Sequence, residues 1–180
     1  DDSKMSKASF YDATVEKNSF KNAELLKAVF DGAYVRKNIF DKADLTKANF
    51  ANASIERSSF DLAQMGGVSF EGAKLEKVSF LNANMQGVKI NADTKMNDVD
   101  FSGADLSGAK IEKFTAKKVI YDNKTQFPKG FEPRAYGFTK RGEKAADVVV
   151  ESKKKRGGDD DGDAPKKKKK KKKSSSDDDE

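Results

Sequence analysis

The side chains of this sequence that could do chemistry are lysines, carboxylates and hydroxyls, because the chain contains no histidine and no cysteine. Without an imidazole or a thiol, it lacks the usual general base near neutral pH, the usual thiolate nucleophile and the ligands of an ordinary zinc site. A serine activated by a lysine could act as a nucleophile, but no motif positions such a pair. The acidic run Asp159–Asp163 lacks the later glutamate of a calcium-binding loop. We therefore predict no enzymatic activity: no catalytic residues, no metal, no cofactor and no small-molecule substrate.

Positive charges, in contrast, recur at a regular spacing of twenty residues. One column contains Lys17, Lys37, Arg57 and Lys77, and a second column, the corner stripe, contains Lys7, Lys27 and Lys47. Glu16, Glu56 and Glu76 lie beside the first column and would offset its charge. Each column is either a solvated face or a docking site for an anionic partner. The corner stripe has no comparable acidic companions, so it is the better docking candidate.

The densest positive charge is a run of eight lysines, consisting of Lys166, Lys167, Lys168, Lys169, Lys170, Lys171, Lys172 and Lys173. It lies in residues 141–180, which hold 14 basic and 11 acidic groups and no apolar segment able to anchor a core. We predict that this segment, the charged tail, is disordered. It could contact anionic lipid headgroups, with about 1 kcal/mol per lysine, or bind nucleic acid without sequence preference. It could also serve as a nuclear-import signal, or only keep the protein soluble.

The spacing of twenty is a multiple of a shorter repeat of five. Eighteen consecutive fifth positions, from Met5 to Ile90, are apolar, and every second one from Phe10 to Phe80 is phenylalanine. The chain is 36% hydrophobic, so a chance run of this length has odds of about 10⁻⁸. Two residues before each of these positions, alanine is the usual residue. A period of five matches neither a helix nor a flat strand, so it indicates an internal repeat.

Units such as "ADLTK", "ANFAN" and "AKLEK" resemble those of the pentapeptide-repeat family, and the resemblance covers about residues 5–138. It implies an all-β fold, a right-handed quadrilateral β-helix with four units and twenty residues per coil. Phenylalanines would then stack in two opposite columns, with Phe10, Phe30, Phe50 and Phe70 in one and Phe20, Phe40, Phe60 and Phe80 in the other. Asn18, Asn38 and Ser58 replace the small residue in one interior column. We expect them to form a satisfied hydrogen-bonded ladder.

The repeat is interrupted once, because the step from Ile90 to Met96 is six residues. One inserted residue in a stacked strand indicates a bulge or a looped corner. We predict a β-helix over residues 1–118, a C-terminal cap over residues 119–140 and the charged tail over residues 141–180. In the cap, Phe127, Phe131 and Phe138 are expected to cover the open edge of the stack.

The segment "YDNKTQFPKGFEP" resembles the exit sequence of cyanobacterial and plastid (thylakoid) pentapeptide-repeat proteins. The matching residues are Tyr121, Asp122, Thr125, Phe127, Pro128, Gly130, Phe131 and Pro133. Together with the acidic start "DDSKM", which does not begin with methionine, the resemblance implies a processed, thylakoid-associated protein of the chloroplast. The lumen is favoured by this resemblance. The polylysine run is not typical of lumenal members, so the stroma, the cytosol and the nucleus stay open.

The resemblance further implies a non-catalytic scaffold or assembly subunit, which offers a rigid protein–protein docking surface to a photosynthetic membrane complex. The charged tail would contact an anionic membrane surface. The alternative is a nucleic-acid- or topoisomerase-associated pentapeptide protein, or a nucleic-acid binder that uses its basic tail. Mimicry of duplex DNA needs a strongly acidic surface, whereas residues 1–140 hold 22 basic and 19 acidic groups. Nucleic acid is therefore the disfavoured partner.

Overall fold

The computed structural model describes residues 1–143, which form an all-β parallel solenoid. Residues 144–180, which contain Lys166–Lys173 and most of the charged tail, lie outside the described residues, so the prediction of disorder there stays a prediction. Among residues 1–143, no helix has the length and apolar character that a membrane span requires.

Nine short strands and one 3₁₀ helix make up the described chain. They are β1 (Thr14–Glu16), β2 (Tyr34–Arg36), β3 (Ser54–Glu56), β4 (Lys74–Ser79), β5 (Lys89–Ile90), β6 (Lys95–Asp100), β7 (Lys110–Ile111), β8 (Thr115–Tyr121), the 3₁₀ helix (Pro133–Tyr136) and β9 (Phe138–Lys140). Seven of them form one parallel sheet in the order β1-β2-β3-β4-β6-β8-β9, and β5 pairs with β7 in a second sheet.

The backbone returns to the same place every twenty residues in the first coils. Val15 pairs with Val35, and Val35 pairs with Ile55. Isolated bridges on the other sides of these coils have the same spacing. Because neighbouring strands lie about 4.8 Å apart, residues of one column lie directly above one another. This register confirms the predicted quadrilateral β-helix with four five-residue units per coil.

Two columns of phenylalanine fill the centre of the coils. The rings of Phe30 and Phe50 stack with centroids 4.5 Å apart, and those of Phe40 and Phe60 stack with centroids 4.7 Å apart. The columns meet edge to face, since the rings of Phe30 and Phe40 cross at 88° with centroids 5.8 Å apart. Aliphatic and methionine side chains fill the other two columns and are also buried. The predicted separation into two phenylalanine columns is confirmed.

The predicted polar column forms the expected ladder, which bonds side chains to backbone, but only Asn38 and Ser58 are buried, whereas Asn18 in the first coil is exposed. The N–H of Asn18 donates to Asn38 Oδ1 at 2.9 Å, and the N–H of Asn38 donates to Ser58 Oγ at 3.1 Å. The Asn38 amide also donates to the carbonyl oxygen of Val15 at 2.7 Å. Among residues 1–143, no buried side-chain nitrogen or oxygen lacks a partner. These polar residues are therefore structural.

The predicted one-residue insertion is a corner closed by Asn91 and Thr94. Leu75 pairs with Met96, twenty-one residues later, so this coil is one residue longer than those before it. Thr94 is fully buried at a position where other coils have alanine. Its hydroxyl donates to the carbonyl oxygen of Phe70 at 2.9 Å and to Asn91 Oδ1 at 3.0 Å. The corner absorbs the extra residue and leaves the stack intact.

A second insertion, which the five-residue pattern does not reveal, lies at Asp122–Thr125. Asp105 pairs with Gln126, again twenty-one residues later, and the Thr125 hydroxyl donates to the carbonyl oxygen of Phe101 at 3.0 Å. The prediction of a single interruption is therefore wrong. The motif "YDNKT" closes a corner in the same way as "NADT", but the residues around it no longer follow the repeat.

The aromatic residues predicted to cover the last coil pack against one another. The ring centroids of Phe127 and Phe131 lie 5.1 Å apart, and those of Phe131 and Phe138 lie 5.9 Å apart. Tyr136 extends this cluster by stacking on Phe131 at 4.6 Å. Gly137 ends the 3₁₀ helix with a φ of 79°, a left-handed conformation that favours glycine. The chain then enters β9, which pairs with β8 and so joins the cluster to the ladder.

Removing one ring from the middle of the stack should cost far more than removing one from the first coil. Phe50 is fully buried between Phe30 and Phe70, whereas Phe10 is only partly buried. We expect Phe50→Ala to lower the free energy of unfolding by about 3–5 kcal/mol through the cavity it leaves. Phe10→Ala should lower it clearly less in the same urea melts. Equal losses would contradict stability that accumulates coil by coil.

The two inserted corners are built alike, but one contains the carboxylate of Asp122 where the other contains the amide of Asn91. This difference predicts that the stability of the solenoid depends on pH through Asp122. Asp122 Oδ1 accepts hydrogen bonds from the N–H groups of Gly103 (2.9 Å), Lys124 (2.9 Å) and Thr125 (3.0 Å). Burial of this carboxyl opposes its ionisation, but the donated N–H bonds outweigh burial and lower its pKa. A lowered pKa contributes stability above the unfolded value of about 3.9, and that contribution is lost as the pH falls through the folded value.

Asp122→Asn should therefore reduce the loss of stability on acidification, measured as the difference in unfolding free energy between about pH 6 and pH 3. Asn91→Asp is the matched variant, because Asn91 Oδ1 accepts the N–H of Gly72 at 2.8 Å in the equivalent corner. It should make stability fall more steeply over the same range. Identical acid profiles for both variants and the unmodified chain would refute this account of the corners.

Candidate docking surface

The interior of the described coils has no room for a ligand, so any site must lie on the surface. The inward columns are filled by buried phenylalanine, aliphatic and alanine side chains. The depressions that residues 1–143 line are open grooves, one of them between the start of β8 and the 3₁₀ helix beside Phe114 and Tyr136. No group of three or more potential metal-ligating side chains occurs in this part of the chain.

Both predicted basic columns occupy corners of the coil. The first column lies in the left-handed region, with φ values of 56° at Lys17, 55° at Lys37, 48° at Arg57 and 55° at Lys77. The corner stripe does so too, with φ values of 63° at Lys7, 57° at Lys27 and 59° at Lys47. The backbone N–H of each of these residues is bonded to the next coil or lies in the sheet. The backbone ladder therefore fixes the position of the Cα atom from which each basic side chain extends. All seven side chains are exposed.

The glutamates beside the first column pair mainly with Arg36, a residue that the column spacing does not single out. Arg36 Nη1 lies 2.6 Å from Glu16 Oε1, and Arg36 Nε lies 3.8 Å from Glu56 Oε2. Lys17 Nζ lies 3.6 Å from the same Glu16 oxygen. Partial burial opposes ionisation of Glu16, but the charge of Lys17 and the bond from Arg36 outweigh it and lower the pKa of this carboxyl. Lys37 and Arg57 form no ion pair among residues 1–143, so the first column keeps unpaired positive charge beside β2 and β3.

The corner stripe is short. Among residues 1–143, Lys7, Lys27 and Lys47 form no ion pair. In the next coil the same corner holds Gly67, and a Cβ there would lie 3.6 Å from the Cγ of Lys47. Glycine also follows at positions 87 and 108. The stripe thus ends after three coils, or about 10 Å at strand spacing.

A larger unpaired group of lysines lies on the second half of the seven-stranded sheet. This group, the lysine face, consists of Lys74 and Lys77 on β4, Lys95 on β6, and Lys117 and Lys118 on β8. All five side chains are exposed, and none forms an ion pair within the part of the chain that the structure describes. Lys74 and Lys95 are direct partners in the β4–β6 register. Of these five, only Lys77 belongs to a predicted column.

The sequence did contain a signal for the lysine face. Lys74 and Lys95 are twenty-one residues apart, which is the length of the coil that contains the Asn91–Thr94 corner. Columns read at a constant spacing of twenty cannot connect them. The strands are also longest here, because Val78, Val99 and Val119 occupy the interior position that Asn38 and Ser58 fill in earlier coils, and β-branched residues favour extended backbone.

Comparison with known proteins agrees with this architecture. The family model for pentapeptide repeats (8 copies) matches residues 28–63 and 63–91. No curated protein sequence matches the chain. A crystal structure of a pentapeptide repeat protein from Nostoc Pcc 7120 is similar with a TM-score of 0.54 and 23% identity, and the match covers 57% of this chain and 84% of that one. At this identity the likeness shows a shared fold alone.

Two further solved structures are similar at lower scores. One is a pentapeptide repeat protein from the thylakoid lumen of Arabidopsis thaliana, with a TM-score of 0.40, 24% identity and coverage of 62% of this chain and 70% of that one. The other is QnrB1, a plasmid-mediated fluoroquinolone resistance protein, with a TM-score of 0.43, 16% identity and coverage of 69% and 75%. The family model thus identifies pentapeptide repeats within residues 28–91, and the described coils continue the same four-sided architecture on both sides of that segment.

Proposed function

We propose that this protein is a non-catalytic scaffold or assembly subunit that gives a photosynthetic thylakoid membrane complex a rigid docking surface. The observation that carries the proposal is the filled interior. From Phe20 to Phe101 the inward side chains are buried and stacked on those of the neighbouring coils. A filled stack leaves only its outer faces for function, and those faces are held in place by the backbone ladder. A rigid surface loses little conformational entropy of its own when a partner docks on it.

The plastid part of the proposal is supported by the exit segment. Its residues have structural roles here: Asp122 and Thr125 close the second corner, and Phe127 and Phe131 pack in the terminal aromatic cluster. The residues that resemble the exit sequence of thylakoid proteins are therefore those that close the C-terminal end of the solenoid. A common origin of this closing segment supports the proposed compartment.

The charged tail supplies the proposed membrane contact. Its eight consecutive lysines outnumber the four acidic residues Asp177, Asp178, Asp179 and Glu180 that follow them. A net attraction to anionic headgroups therefore remains at low ionic strength. This attraction is long-ranged only in dilute salt, because the Debye length falls to about 8 Å at 0.15 M. We propose that the tail brings the protein to the membrane and that the solenoid selects the partner.

Binding to isolated thylakoid membranes tests the docking function. We expect the full-length protein with Lys166–Lys173 replaced by glutamine to sediment with intact membranes at about 0.15 M salt, because docking on a protein does not need the lysines of the tail. Membranes shaved of exposed protein by protease should lose most of this binding, and vesicles of extracted thylakoid lipid should show little. Equal binding to intact membranes, shaved membranes and lipid vesicles would contradict a protein-docking function, as would absence of binding to all three.

The tail should act separately from the fold. Deleting Lys166–Glu180 should leave the melting temperature of the solenoid unchanged, because side chains of residues 1–143 fill the buried columns. The same deletion should sharply reduce binding to vesicles that contain anionic lipid in low salt. The variant with Lys166–Lys173 replaced by glutamine keeps the length of the chain and serves as the matched variant here too. Undiminished vesicle binding by both variants would assign the membrane contact to the solenoid instead.

A further inference from the structure

We propose that the lysine face, formed by Lys74, Lys77, Lys95, Lys117 and Lys118, is the surface on which an acidic protein partner docks. This inference rests on the proposed docking function and names the face and the chemistry of the partner. It replaces the corner stripe as the leading candidate. The partner would present carboxylates, with basic groups among them, to β4, β6 and β8, which turn a corner of the coil at Lys77, Asp98 and Lys118.

The geometry concentrates these charges on three neighbouring strands. β4 pairs with β6 and β6 pairs with β8, so the five lysines lie within about 10 Å along the solenoid axis. Lys74 stacks directly on Lys95, and Lys117 lies beside Asn97 in the β6–β8 register. Backbone pairing holds their Cα atoms in place. Like charges held this closely repel one another, and carboxylates of a partner would relieve that repulsion.

The first half of the same sheet provides an internal comparison. There, Arg36 bridges Glu16 on the preceding coil and Glu56 on the following coil, at 2.6 Å and 3.8 Å. Tyr34 donates its hydroxyl to Glu56 at 3.2 Å. On β4, β6 and β8, none of the five lysines forms an ion pair among the described residues, and Asp100 on β6 pairs with Arg141, which lies outside these strands. The first half has two such unpaired cations, Lys37 and Arg57, so the unpaired positive charge is more concentrated on β4, β6 and β8.

Two carboxylates within the lysine face favour a protein over a uniformly anionic partner. Glu76 lies between Lys74 and Lys77 on β4, and Asp98 lies on β6 between the strands that carry Lys77 and Lys118. A phosphate backbone or a plane of anionic headgroups would be repelled at both positions. A protein can place basic groups opposite Glu76 and Asp98, and mismatched charges then exclude wrong partners.

The face also lacks the features of a membrane-inserting surface. The large apolar side chains exposed among residues 1–143 are Tyr11, Ile39 and Leu62, and none of them lies on β4, β6 or β8. Binding through this face would therefore be electrostatic and fixed in register by backbone spacing. It would differ from the tail contact, which needs no defined geometry.

Zero-length carbodiimide cross-linking tests the proposal, because it joins an amine only to a carboxylate in direct contact. The full-length protein would be cross-linked to isolated thylakoid membranes at about 0.15 M salt, and the linked lysines would be mapped by mass spectrometry. We expect links from the lysine face to carboxylates of a defined set of membrane proteins. Links confined to Lys166–Lys173 or to the corner stripe would overturn the proposal while leaving a docking function in place.

Charge reversal in the full-length chain provides the matched measurement. Lys74→Glu/Lys95→Glu/Lys117→Glu should weaken binding to intact membranes by about tenfold or more. Lys7→Glu/Lys27→Glu/Lys47→Glu makes the same charge change on the corner stripe and should weaken it less than about twofold. Both variants should keep the melting temperature of the unmodified protein, since all six side chains are exposed.

Two further probes separate the alternative partners. The lysine-face variant and the corner-stripe variant should bind a 20-base-pair DNA duplex equally well, and should also bind vesicles that contain anionic lipid equally well. If the lysine-face variant loses duplex or vesicle binding and keeps binding to membrane proteins, the assignment to an acidic protein is wrong. If no membrane protein is bound or cross-linked by the unmodified chain, the proposed function and this inference both fail.

Discussion

The stacking of identical inward side chains at strand spacing is the interaction on which the rest of this structure depends. Phenylalanine rings 4.5–5.6 Å apart, from Phe10 to Phe70 and from Phe20 to Phe80, link each coil to the next. The stack holds only while every coil returns in register. Each irregularity must therefore be absorbed at a corner, and both insertions are, by Thr94 and Thr125. The outer surface inherits this regularity, so charges on neighbouring coils lie above one another.

Because the coils stack in register, the spacing of charged residues along the sequence determines which charges are neighbours on the surface. Twenty residues separate side chains that touch in the first coils, and twenty-one separate them where a corner is longer. Arg36 neutralises two glutamates because they lie on the coils before and after it. The lysines of β4, β6 and β8 form no ion pair within residues 1–143, although Glu76 and Asp98 lie among them. The five lysines outnumber these two carboxylates, so this half of the sheet suits an oppositely charged partner.

The fold could be predicted from the sequence because the repeat specifies both the inward residues and the length of the coil. Phenylalanine at every tenth position and alanine at the small position define four columns, and the step from Ile90 to Met96 marks the first inserted corner. The second corner could not be predicted in this way. Around Asp122–Thr125 the units no longer show the apolar period, and only the hydrogen bonds of Thr125 reveal the equivalence with Thr94.

The candidate site was less predictable because it depends on which side chains face one another across coils. The two basic columns stack as a spacing of twenty implies, but their position at corners and the pairing of Arg36, which belongs to neither column, with Glu16 are seen only in the structure. The lysine face joins residues from strands on both sides of an insertion. A constant period of twenty residues assigns Lys74 and Lys95 to different columns, whereas the observed register makes them direct partners. Charge patterns in such solenoids are therefore best read after the insertions have been located.

Hydrogen–deuterium exchange of the full-length chain, alone and bound to thylakoid membrane protein, tests the central claim that a solid solenoid acts through one outer face. The account predicts slow exchange of the stacked coils in both states, with added protection on binding confined to peptides that contain β4, β6 and β8. Faster exchange of the inner coils on binding would contradict a filled and rigid interior. Added protection centred on Lys7, Lys27 and Lys47, with none on β4, β6 and β8, would contradict the assignment of the docking face.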